Sequence, residues 1–406
     1  LNTRENPVRR NTMFTIAALP AVLLAATLLL SGCQTPPPPG PKPLPPIETR
    51  YHADTASAVA FLARTVVEQL VNTPRPDQPT VPVEEFFNAQ SAEITTSGRA
   101  LQRQLADALT QTMAPLRFVP LDITSANTAQ WALLASHTTP AAGETTQPGK
   151  WVRLQVAMVE SSTGRVLTRV RTYLDAAQFN AEPTAFFKDA PMYFTDKRHQ
   201  ERVGAVGGQG RVIDGELLLQ SAVSDAIAAY EAGRYDDAER AFVRAKAMSK
   251  DHPAALTGLY QTYWKQGRTA EAEQAFAELV AASLDAGSLS VKLLFKVGAT
   301  TFVDSGDLPT QYRLWLKSIG QVVSSKERCV DVTGHASKSG AADYNERLSQ
   351  QRAESIVVLI AQTSRDARAR FKAAGRGFQD TIVGTGANDA TDAIDRRVEF
   401  RVRSCT

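Results

Sequence analysis

One arginine in the C-terminal part of the chain interrupts the apolar stripe of a predicted helix. The stripe repeats every fourth residue, which places its members on one face of that helix. They are Leu348, Arg352, Ile356 and Ile360. A guanidinium on a face that packs inward needs a partner, because burying an unpaired charge is costly. The spacing therefore predicts either an internal salt bridge at Arg352 or a binding site for an anionic group from outside the protein.

The residue types that perform catalysis show no comparable arrangement. The five histidines are scattered without metal-ligand spacing; they are His52, His137, His199, His252 and His335. Gly-x-Ser-x-Gly nucleophile motifs and phosphate-binding loops are missing from the sequence. The carboxylate pairs at Glu84 and Glu85 and at Asp236 and Asp237 fall in segments that we expect to be solvated ends of helices or strands. We therefore expect no enzyme and no metal or organic cofactor.

Length and charge restrict the class of protein further. The chain has 406 residues, of which 43% are hydrophobic and 21% charged, which is enough for two or three domains with their own cores. The 45 Lys and Arg residues stand against 42 Asp and Glu residues, so the formal net charge is only +3. This balance predicts no nucleic-acid partner.

The first residues have the order of a targeting segment. Basic residues are followed by an apolar run from Met13 to Leu30 and then by "LSGC", which ends at Cys33. This order resembles a lipoprotein signal peptide over residues 1–32, which implies a covalent diacylglycerol and N-acyl lipid on Cys33. The alternative is a transmembrane anchor with a chance cysteine, but the run of about 18 residues is short for a span and contains Pro20.

Residues 33–50 are rich in proline and are predicted to form an extended spacer. Gln34 follows the cysteine that would carry the lipid. By resemblance to the sorting signals of such lipoproteins, the absence of aspartate at this position implies an anchor in the outer membrane, with the folded body on its periplasmic face.

Two further cysteines, Cys329 and Cys405, remain once Cys33 is assigned to lipid. The stretches "CVDV" and "VEFRVRSC" alternate apolar and polar residues as strands do, and both thiols fall on the polar side. If these strands pair antiparallel, the start of one meets the end of the other. In a compartment that permits disulfides, we therefore predict a bond between Cys329 and Cys405.

Residues 51–200 combine helical and strand patterns, which predicts an α+β module. Helical periodicity covers Thr55–Val71 and resumes at Ser97, "TVPVEEFF" is typical of a strand, and "WVRLQVAMVESSTGRVLTRVRTYL" is typical of a β-hairpin. The arrangement resembles the periplasmic modules of lipoproteins related to FlgO and to penicillin-binding-protein activators; a scaffold of unassigned role is the alternative. The polar and glycine-rich stretch from Phe186 to Arg211 is predicted to be a linker, and the linker between the module and the repeats is assigned to residues 201–215.

An internal repeat occupies residues 216–288. "YEAGRYDDAERAFVRA" and "WKQGRTAEAEQAFAEL" align at a constant offset, with Tyr230 opposite Trp264 and Phe242 opposite Phe276. This spacing resembles tetratricopeptide repeats, which implies an all-α segment of helical hairpins that needs a cap. Such arrays present a groove to proteins, so we expect an unidentified envelope protein as partner; a spacer stacked between domains is the alternative.

Residues 289–406 carry the most specific motifs. Strand patterns at "KLLFKV", "CVDVTG", "TIVGTG" and "RRVEFRV" alternate with two helical patterns. The stretches "GHASKSGAADYNERLSQQRAESI" and "DRRVEFRV" strongly resemble the OmpA-like peptidoglycan-associated domain. The resemblance implies a βαβαββ mixed sheet covered by helices and a site for the diaminopimelate peptide of peptidoglycan. The whole chain is then a multidomain α+β protein.

The resemblance also implies which residues form that site. Diaminopimelate presents an ammonium and a carboxylate on one carbon, and the family meets them with an aspartate and an arginine. The arginine falls on Arg352, but the aspartate position holds Ser337. Three consequences stay open: the domain binds peptidoglycan weakly, Asp395 or Asp343 supplies the negative charge, or the fold is kept and binds something else. The same two aspartates would be the partners of Arg352 in an internal salt bridge.

Other residues of the motifs are expected close by. Asn345 is expected to order the loop and the start of the helix rather than to contact ligand directly. Arg396 and Arg397 are expected at the rim, where Arg397 contributes to carboxylate binding or where both are solvated charges. His335 is expected to form hydrogen bonds within its loop.

Together these features predict an outer-membrane lipoprotein that tethers the envelope to peptidoglycan and recruits a protein partner through its repeats. The competing interpretation is an envelope or secretion assembly adaptor whose OmpA-like fold no longer binds peptidoglycan. Ser337 favours the adaptor, and Arg352 favours the tether.

Overall fold

The computed structural model describes residues 49–141, 143–208, 215–296, 298–381 and 395–405. The predicted signal peptide, Cys33 and nearly all of the predicted spacer lie outside these residues. Within the described part of the chain, no helix combines the length and the apolar content needed to cross a membrane.

A mixed sheet with helices packed on it forms the N-terminal module. Its strands are β1 (Tyr51–His52), β2 (Thr80–Val83), β3 (Phe87–Asn88), β4 (Arg117–Pro120), β5 (Trp131–Thr138), β6 (Trp151–Glu160) and β7 (Val166–Asp175). The helices of this region are α1 (Thr55–Leu70), α2 (Thr96–Thr112), α3 (Ile123–Thr128), α4 (Ala185–Asp189) and α5 (Lys197–Gly207), with short 3-10 helices at Pro148–Lys150 and Ala176–Gln178. The strand order is β1-β7-β6-β5-β2-β4, with β3 beside β5.

Local signals explain the first helices of the module. The Asp54 carboxylate accepts a hydrogen bond from the Ser57 amide and so caps α1, and the Thr95 hydroxyl caps α2 in the same way. Both helices bury an apolar stripe against one face of the sheet, in a core that includes Leu62 and Leu105. The predicted hairpin is confirmed as antiparallel β6 and β7. Strand β5, which lies inside the sheet and is buried along its whole length, was not predicted.

The prediction of a linker at residues 201–215 is wrong for its first half. Helix α5 extends through residue 207, while residues 209–214 lie outside the described chain. The preceding stretch is also ordered and buried, since Phe186 and Phe194 are 0% and 6% exposed. Its aromatic side chains pack inward but follow no helical or strand period, so the sequence pattern did not reveal them.

The repeats form two helical hairpins, as predicted. Their helices are α6 (Glu216–Glu231), α7 (Tyr235–Met248), α8 (Pro253–Lys265) and α9 (Thr269–Asp285). Gly258 lets α8 approach α7, because a Cβ at that position would lie only 2.2 Å from the Phe242 ring. The cap comes from the next domain, where Trp315 stacks on Phe276 with ring centroids 5.8 Å apart.

The C-terminal domain has the predicted βαβαββ order and a mixed sheet. Its elements are β8 (Ser288–Val291), α10 (Leu308–Ser325), β9 (Cys329–Gly334), α11 (Ala342–Thr363), β10 (Phe371–Gly375) and β11 (Val398–Arg403), with a 3-10 helix at Arg365–Arg370. The strand order is β10-β9-β11-β8. Strand β10 runs parallel to β9, whereas β11 is antiparallel to both β9 and β8.

One predicted strand of this domain is misplaced, and a second prediction is not tested. The first strand is β8 and ends at Val291, so "KLLFKV" follows it as a loop whose Phe295 makes only an isolated bridge to Phe302. Strand β10 was not predicted, and the predicted strand at "TIVGTG" lies outside the described residues except for Thr381. Thr381 is not in a strand.

The three parts of the chain share one hydrophobic core. This core runs from α4 and α5 through the four repeat helices to α10, α11 and the C-terminal sheet. Polar contacts cross the same junctions: the Trp315 indole donates to the Tyr260 hydroxyl at 2.7 Å, and the Lys292 ammonium donates to the Phe187 carbonyl at 2.7 Å. The described parts therefore pack around a shared core.

Glu84 is buried and Glu85 is half-buried, which corrects the expectation that this carboxylate pair lies at a solvated strand end. Glu84 is 4% exposed and lies 3.0 Å from the Arg202 guanidinium. Burial raises the pKa of Glu84, and Arg202 opposes that rise. Glu85 pairs with Arg99, which also contacts the repeat residue Glu231. These ion pairs join the N-terminal module to α5 and to the repeats.

The predicted disulfide between Cys329 and Cys405 is confirmed. The strand pairing sets it up, because Arg403 lies opposite Cys329 in the antiparallel register and Cys405 follows two residues later. The expectation that both thiols lie on exposed polar faces holds for Cys405 only, since Cys329 is 7% exposed.

Replacing both cysteines with serine should lower the free energy of unfolding by about 2 to 4 kcal/mol, because a cross-link over a long loop restricts the unfolded chain. Urea unfolding of the oxidised protein and of the double variant, followed by circular dichroism, measures this difference. The reduced wild-type protein is the matched control and should unfold like the variant. Equal midpoints for oxidised and reduced wild type would contradict the prediction.

Candidate functional site

Helix α11 positions the candidate site by packing closely on β9 and β10. Gly334 and Gly375 permit this approach, because a Cβ on either residue would lie within 2.5 Å of the α11 backbone, at Ser349 O and Gln350 N. The motif glycine at position 334 thus has a packing role. The helix then presents Arg352 one turn before the buried Ile356.

Arg352 lies almost fully inside the protein, at 3% exposure. Its Nε donates to the Ala299 carbonyl at 3.0 Å, and its Nη2 donates to the Lys296 carbonyl at 3.2 Å. The guanidinium carbon lies 4.9 Å from the centre of the Phe295 ring, which adds a cation–π contact. The loop after β8 therefore forms one wall around the guanidinium.

Burial lowers the pKa of Arg352 to about 10, and the positive charge of Arg396 acts in the same direction. The group is still cationic at neutral pH. The two backbone carbonyls stabilise the guanidinium by hydrogen bonding but do not neutralise its charge.

Neither aspartate considered as a salt-bridge partner forms an ion pair with Arg352 in the described part of the chain. Asp343 pairs instead with Arg347 at 3.0 Å, on the exposed side of α11. Asp395 is fully buried at the entry to β11. The internal salt bridge that the helical pattern left open is thus not found among these residues.

Ser337 lies in the loop between β9 and α11, and Asn345 lies in the first turn of α11. Ser337 is 5% exposed, and its hydroxyl lies 3.2 Å from that of Ser339. The Asn345 amide donates to the Ser339 carbonyl at 2.8 Å, so its side chain orders this loop in the manner expected. A ligand contact by Ser337 stays a prediction.

Arg397 is buried, at 5% exposure, rather than solvated at the rim. Its Nε donates to Glu399 at 2.7 Å and its Nη2 to the Asp380 carbonyl at 3.2 Å. Arg401 donates to the other oxygen of Glu399 at 2.8 Å. Burial by itself raises the pKa of Glu399. The surrounding charges and hydrogen bonds, led by those of Arg397, lower the pKa by a larger amount, so the net shift is downward. Glu399 was not predicted as part of this region.

His335 does not form the hydrogen bonds expected within its loop. Its ring is 2% exposed, and neither ring nitrogen has a hydrogen-bond partner in the described structure. The Nε2 atom lies 3.8 Å from Glu399. Burial lowers the pKa of His335 to about 4, with Arg397 acting in the same direction. The neutral ring thus packs against the buried Arg397 and Glu399 pair.

The candidate site unites residues that are distant in the sequence. Arg352 comes from α11, its two carbonyl partners come from the loop after β8, and Arg396 comes from the approach to β11. The wall formed by Phe295, Lys296 and Ala299 was missed because "KLLFKV" was predicted to be a strand. Among the described residues, no group of three or more His, Cys, Asp or Glu side chains is placed to hold a metal ion.

Two family models match parts of the chain. Residues 302–394 match the OmpA family and residues 229–289 match a tetratricopeptide repeat. The chain therefore contains an OmpA-like domain and tetratricopeptide repeats, which confirms both resemblances. These families consist of structural and binding domains rather than enzymes. The resemblance of residues 51–200 to FlgO-related lipoproteins stays a prediction, since neither match includes them.

Several solved structures are similar to a part of this chain. The peptidoglycan-associated lipoprotein from Burkholderia pseudomallei is 24% identical over 29% of this chain and 90% of its own, with a TM-score of 0.24. The cell wall anchor of the T6SS from Pseudomonas aeruginosa is 29% identical over 29% and 81%, with a TM-score of 0.24. The OmpA-like domain of FopA1 from Francisella tularensis is 21% identical over 29% and 75%, with a TM-score of 0.22. No curated protein matches the chain.

The buried neutral His335 predicts a loss of stability in acid. The unfolded histidine takes up a proton below pH 6.5, whereas the folded one resists protonation until about pH 4. The free energy of unfolding should therefore fall between these values, by on the order of 1 kcal/mol per pH unit from this residue. Urea unfolding at pH 7, 6 and 5 should show a shallower decline for His335→Asn than for wild type. Parallel profiles would contradict this assignment.

Proposed function

We propose that the protein binds peptidoglycan non-covalently through its OmpA-like domain, with Arg352 as the cation that meets a carboxylate of the cell-wall peptide. The observation that carries this proposal is the environment of Arg352. Its charge is 3% exposed, is held in place by two backbone carbonyls, and has no carboxylate partner among the described residues. A buried charge is stabilised most by a partner of opposite sign, and the OmpA motifs favour the diaminopimelate carboxylate in that role.

The guanidinium has donors to spare for such a ligand. Its contacts within the described chain use Nε and Nη2, so we assign Nη1 to the incoming carboxylate. A charge-assisted hydrogen bond of this kind contributes roughly 1.5 to 3 kcal/mol. Ser337 cannot neutralise an ammonium as the family's aspartate would. We therefore propose weaker binding than in relatives that keep the aspartate, with Asn345 shaping the site from α11 and Asp395 and Arg397 shaping it from the segment before β11.

A sacculus pulldown of the full chain tests the role of Arg352. Arg352→Ala should weaken binding to purified peptidoglycan about tenfold or more, because the variant loses the charge-assisted contact. Ser337→Asp should strengthen it by a similar factor, because it restores an anion for the ammonium. Arg347→Ala, on the exposed face of the same helix, is the matched control and should bind as wild type does.

The pattern of results separates the tether from the adaptor. Loss of binding in Arg352→Ala alone supports the tether. No binding by folded wild type, with binding gained in Ser337→Asp, would mean that the fold is kept while the site is disabled. Equal binding by wild type and Arg352→Ala would exclude Arg352 from the site. The full chain is required because the C-terminal domain shares its core with the repeats.

We further propose that the protein is a lipoprotein of the outer membrane, with its body in the periplasm. The signal-peptide pattern of residues 1–32 and the position of Cys33 support this localisation, and the disulfide fits an oxidising compartment. Lipid at one end and peptidoglycan at the other would tether the two layers. In this role the protein needs no catalytic activity and no cofactor beyond the lipid.

Replacing Cys33 with serine should remove the lipid and release the protein from membranes, because a diacylglycerol and an N-acyl chain provide the stable anchor. Fractionation of cells that express wild type or Cys33→Ser, combined with labelling by a radioactive fatty acid, measures both effects. Cys405→Ser is the control and should keep its label. A labelled or membrane-bound Cys33→Ser protein would contradict the lipoprotein assignment.

The second candidate function is an assembly adaptor in the envelope or in secretion. Ser337 is the observation that favours it, because the neutral side chain removes one half of the expected charge pair. In that case the repeats would carry the function by recruiting a protein partner, while the C-terminal domain would serve as a structural cap for them.

A further inference from the structure

The face of the repeats that would receive a partner already holds part of the chain itself. The first helices of the two hairpins, α6 and α8, contact residues 185–194, which we term the cis segment. Phe186 and Phe187 of this segment are 0% and 4% exposed. The segment continues to β8, where the Tyr193 amide donates to the Ser290 carbonyl at 3.2 Å.

Side chains of the repeats bind the main chain of the cis segment. The Phe186 amide donates to the Glu231 carboxylate at 3.2 Å, and the Phe186 carbonyl accepts from the Gln261 side chain at 2.9 Å. Both backbone polar groups of one residue are thus satisfied by side chains from two different helices. Contacts to main-chain groups bind a peptide independently of its side chains.

An aromatic pocket receives the Phe186 side chain. The ring lies edge-on to Tyr230, with centroids 5.6 Å apart, and stacks on Phe242 at 5.7 Å. Phe187 packs against Phe186 at 5.1 Å. Aromatic pairs at these separations add favourable energy beyond the burial of area. The pocket therefore selects an aromatic side chain at this position.

A second subsite binds the carboxylate of Asp189. The Tyr230 hydroxyl donates to it at 2.8 Å, and the Lys265 ammonium lies 2.9 Å away. Burial raises the pKa of Tyr230, and the negative charge of Asp189 raises it further. The hydroxyl thus stays protonated and donates. Tyr230 serves both subsites, since its ring contacts Phe186 and its oxygen contacts Asp189.

One acceptor in the groove is left unmatched by the cis segment. Gln261 is 2% exposed, and its Oε1 atom has no hydrogen-bond partner in the described structure although it is buried. A buried polar atom without a partner is costly. A ligand that brings a donor to this point would therefore fit the groove better than the cis segment does.

We propose that this face of α6 and α8 is a peptide-binding site for segments with two adjacent aromatic residues followed, two positions later, by an acidic residue. The cis segment, with Phe186, Phe187 and Asp189, is its resident ligand. A partner protein enters the groove by supplying a segment of the same chemistry and displacing residues 185–189. The inference rests on the repeat part of the proposed function and is independent of peptidoglycan binding.

Competition by a synthetic peptide tests this assignment. The probe is a fluorescein-labelled peptide with the sequence of residues 183–192, "PTAFFKDAPM", titrated with the full chain and followed by fluorescence anisotropy. The double variant Phe186→Ala and Asp189→Ala weakens the resident ligand and should bind the probe at least tenfold more tightly than wild type does. Adding Lys265→Met to that variant should reverse the gain, since the carboxylate subsite is lost.

Lys188→Ala is the matched control, because Lys188 lies beside Asp189 but pairs with Glu182 at the surface. This variant should bind the probe no better than wild type. Equal binding of the probe to wild type and to the double variant would show that the groove is not self-occupied. Absence of binding to a folded double variant would overturn the peptide site itself. Sacculus binding is measured in parallel, so that failure of the tether is seen separately.

A single, conservative substitution tests the proposal if the double variant does not fold. Asp189→Asn keeps the shape of the side chain but removes its charge. Hydrogen exchange of the amides in residues 185–194 should become at least tenfold faster in Asp189→Asn, because the segment detaches more often. The rate should stay unchanged in Lys188→Ala. Equal exchange in both variants would make the segment ordinary core and overturn the proposal.

Discussion

Cover for the apolar faces of the two tetratricopeptide hairpins is the constraint on which the remaining architecture depends, and Phe186 and Phe187 of the cis segment provide part of that cover. Two tetratricopeptide hairpins cannot bury their own apolar faces, because each repeat is normally covered by its neighbours. Here the cis segment covers one side of the pair, and α10 of the OmpA-like domain covers the end of the stack through Trp315. The continuous core that results couples the three parts, so the stability of the repeats is a property of the whole chain.

The OmpA-like domain buries a charge, that of Arg352, whereas the repeats bury aromatic rings. Two carbonyls and one aromatic ring hold the Arg352 guanidinium in a fixed orientation before any ligand arrives. Desolvation of an unpaired cation costs stability, and a fixed orientation reduces the entropy lost on binding. The buried Arg352 charge thus lowers the stability of the domain but provides a cation that is already oriented for binding. The same does not apply to Arg397, whose charge is balanced by Glu399.

Periodic patterns explain what the sequence could predict. The repeats, α10, α11, the β6 and β7 hairpin, and the pairing that unites Cys329 with Cys405 all have strong local periods or exact motifs. The first strand was predicted at "KLLFKV" because this stretch is more apolar than the residues of β8. The strand forms at β8 instead, because β8 is the segment that pairs with β11. The cis segment was taken for linker because its aromatic residues follow no helical or strand period. The carbonyl partners of Arg352 could not be predicted, because every residue has a backbone carbonyl and a sequence motif does not show which of them will accept a hydrogen bond.

The position of β11 in the sheet constrains the order in which the OmpA-like domain assembles. It comes after β8, β9 and β10 in the chain, yet it lies between β8 and β9. Strands β8 and β9 are therefore not hydrogen-bonded to each other. In the described sheet they are joined only through β11, which is synthesised later. Apart from β11, β8 contacts the cis segment through the bridge between Val291 and Met192. Closure of this sheet is thus a late and non-local event in folding, which slows it relative to the helical hairpins, and the environment of Arg352 is completed only when that last strand has inserted.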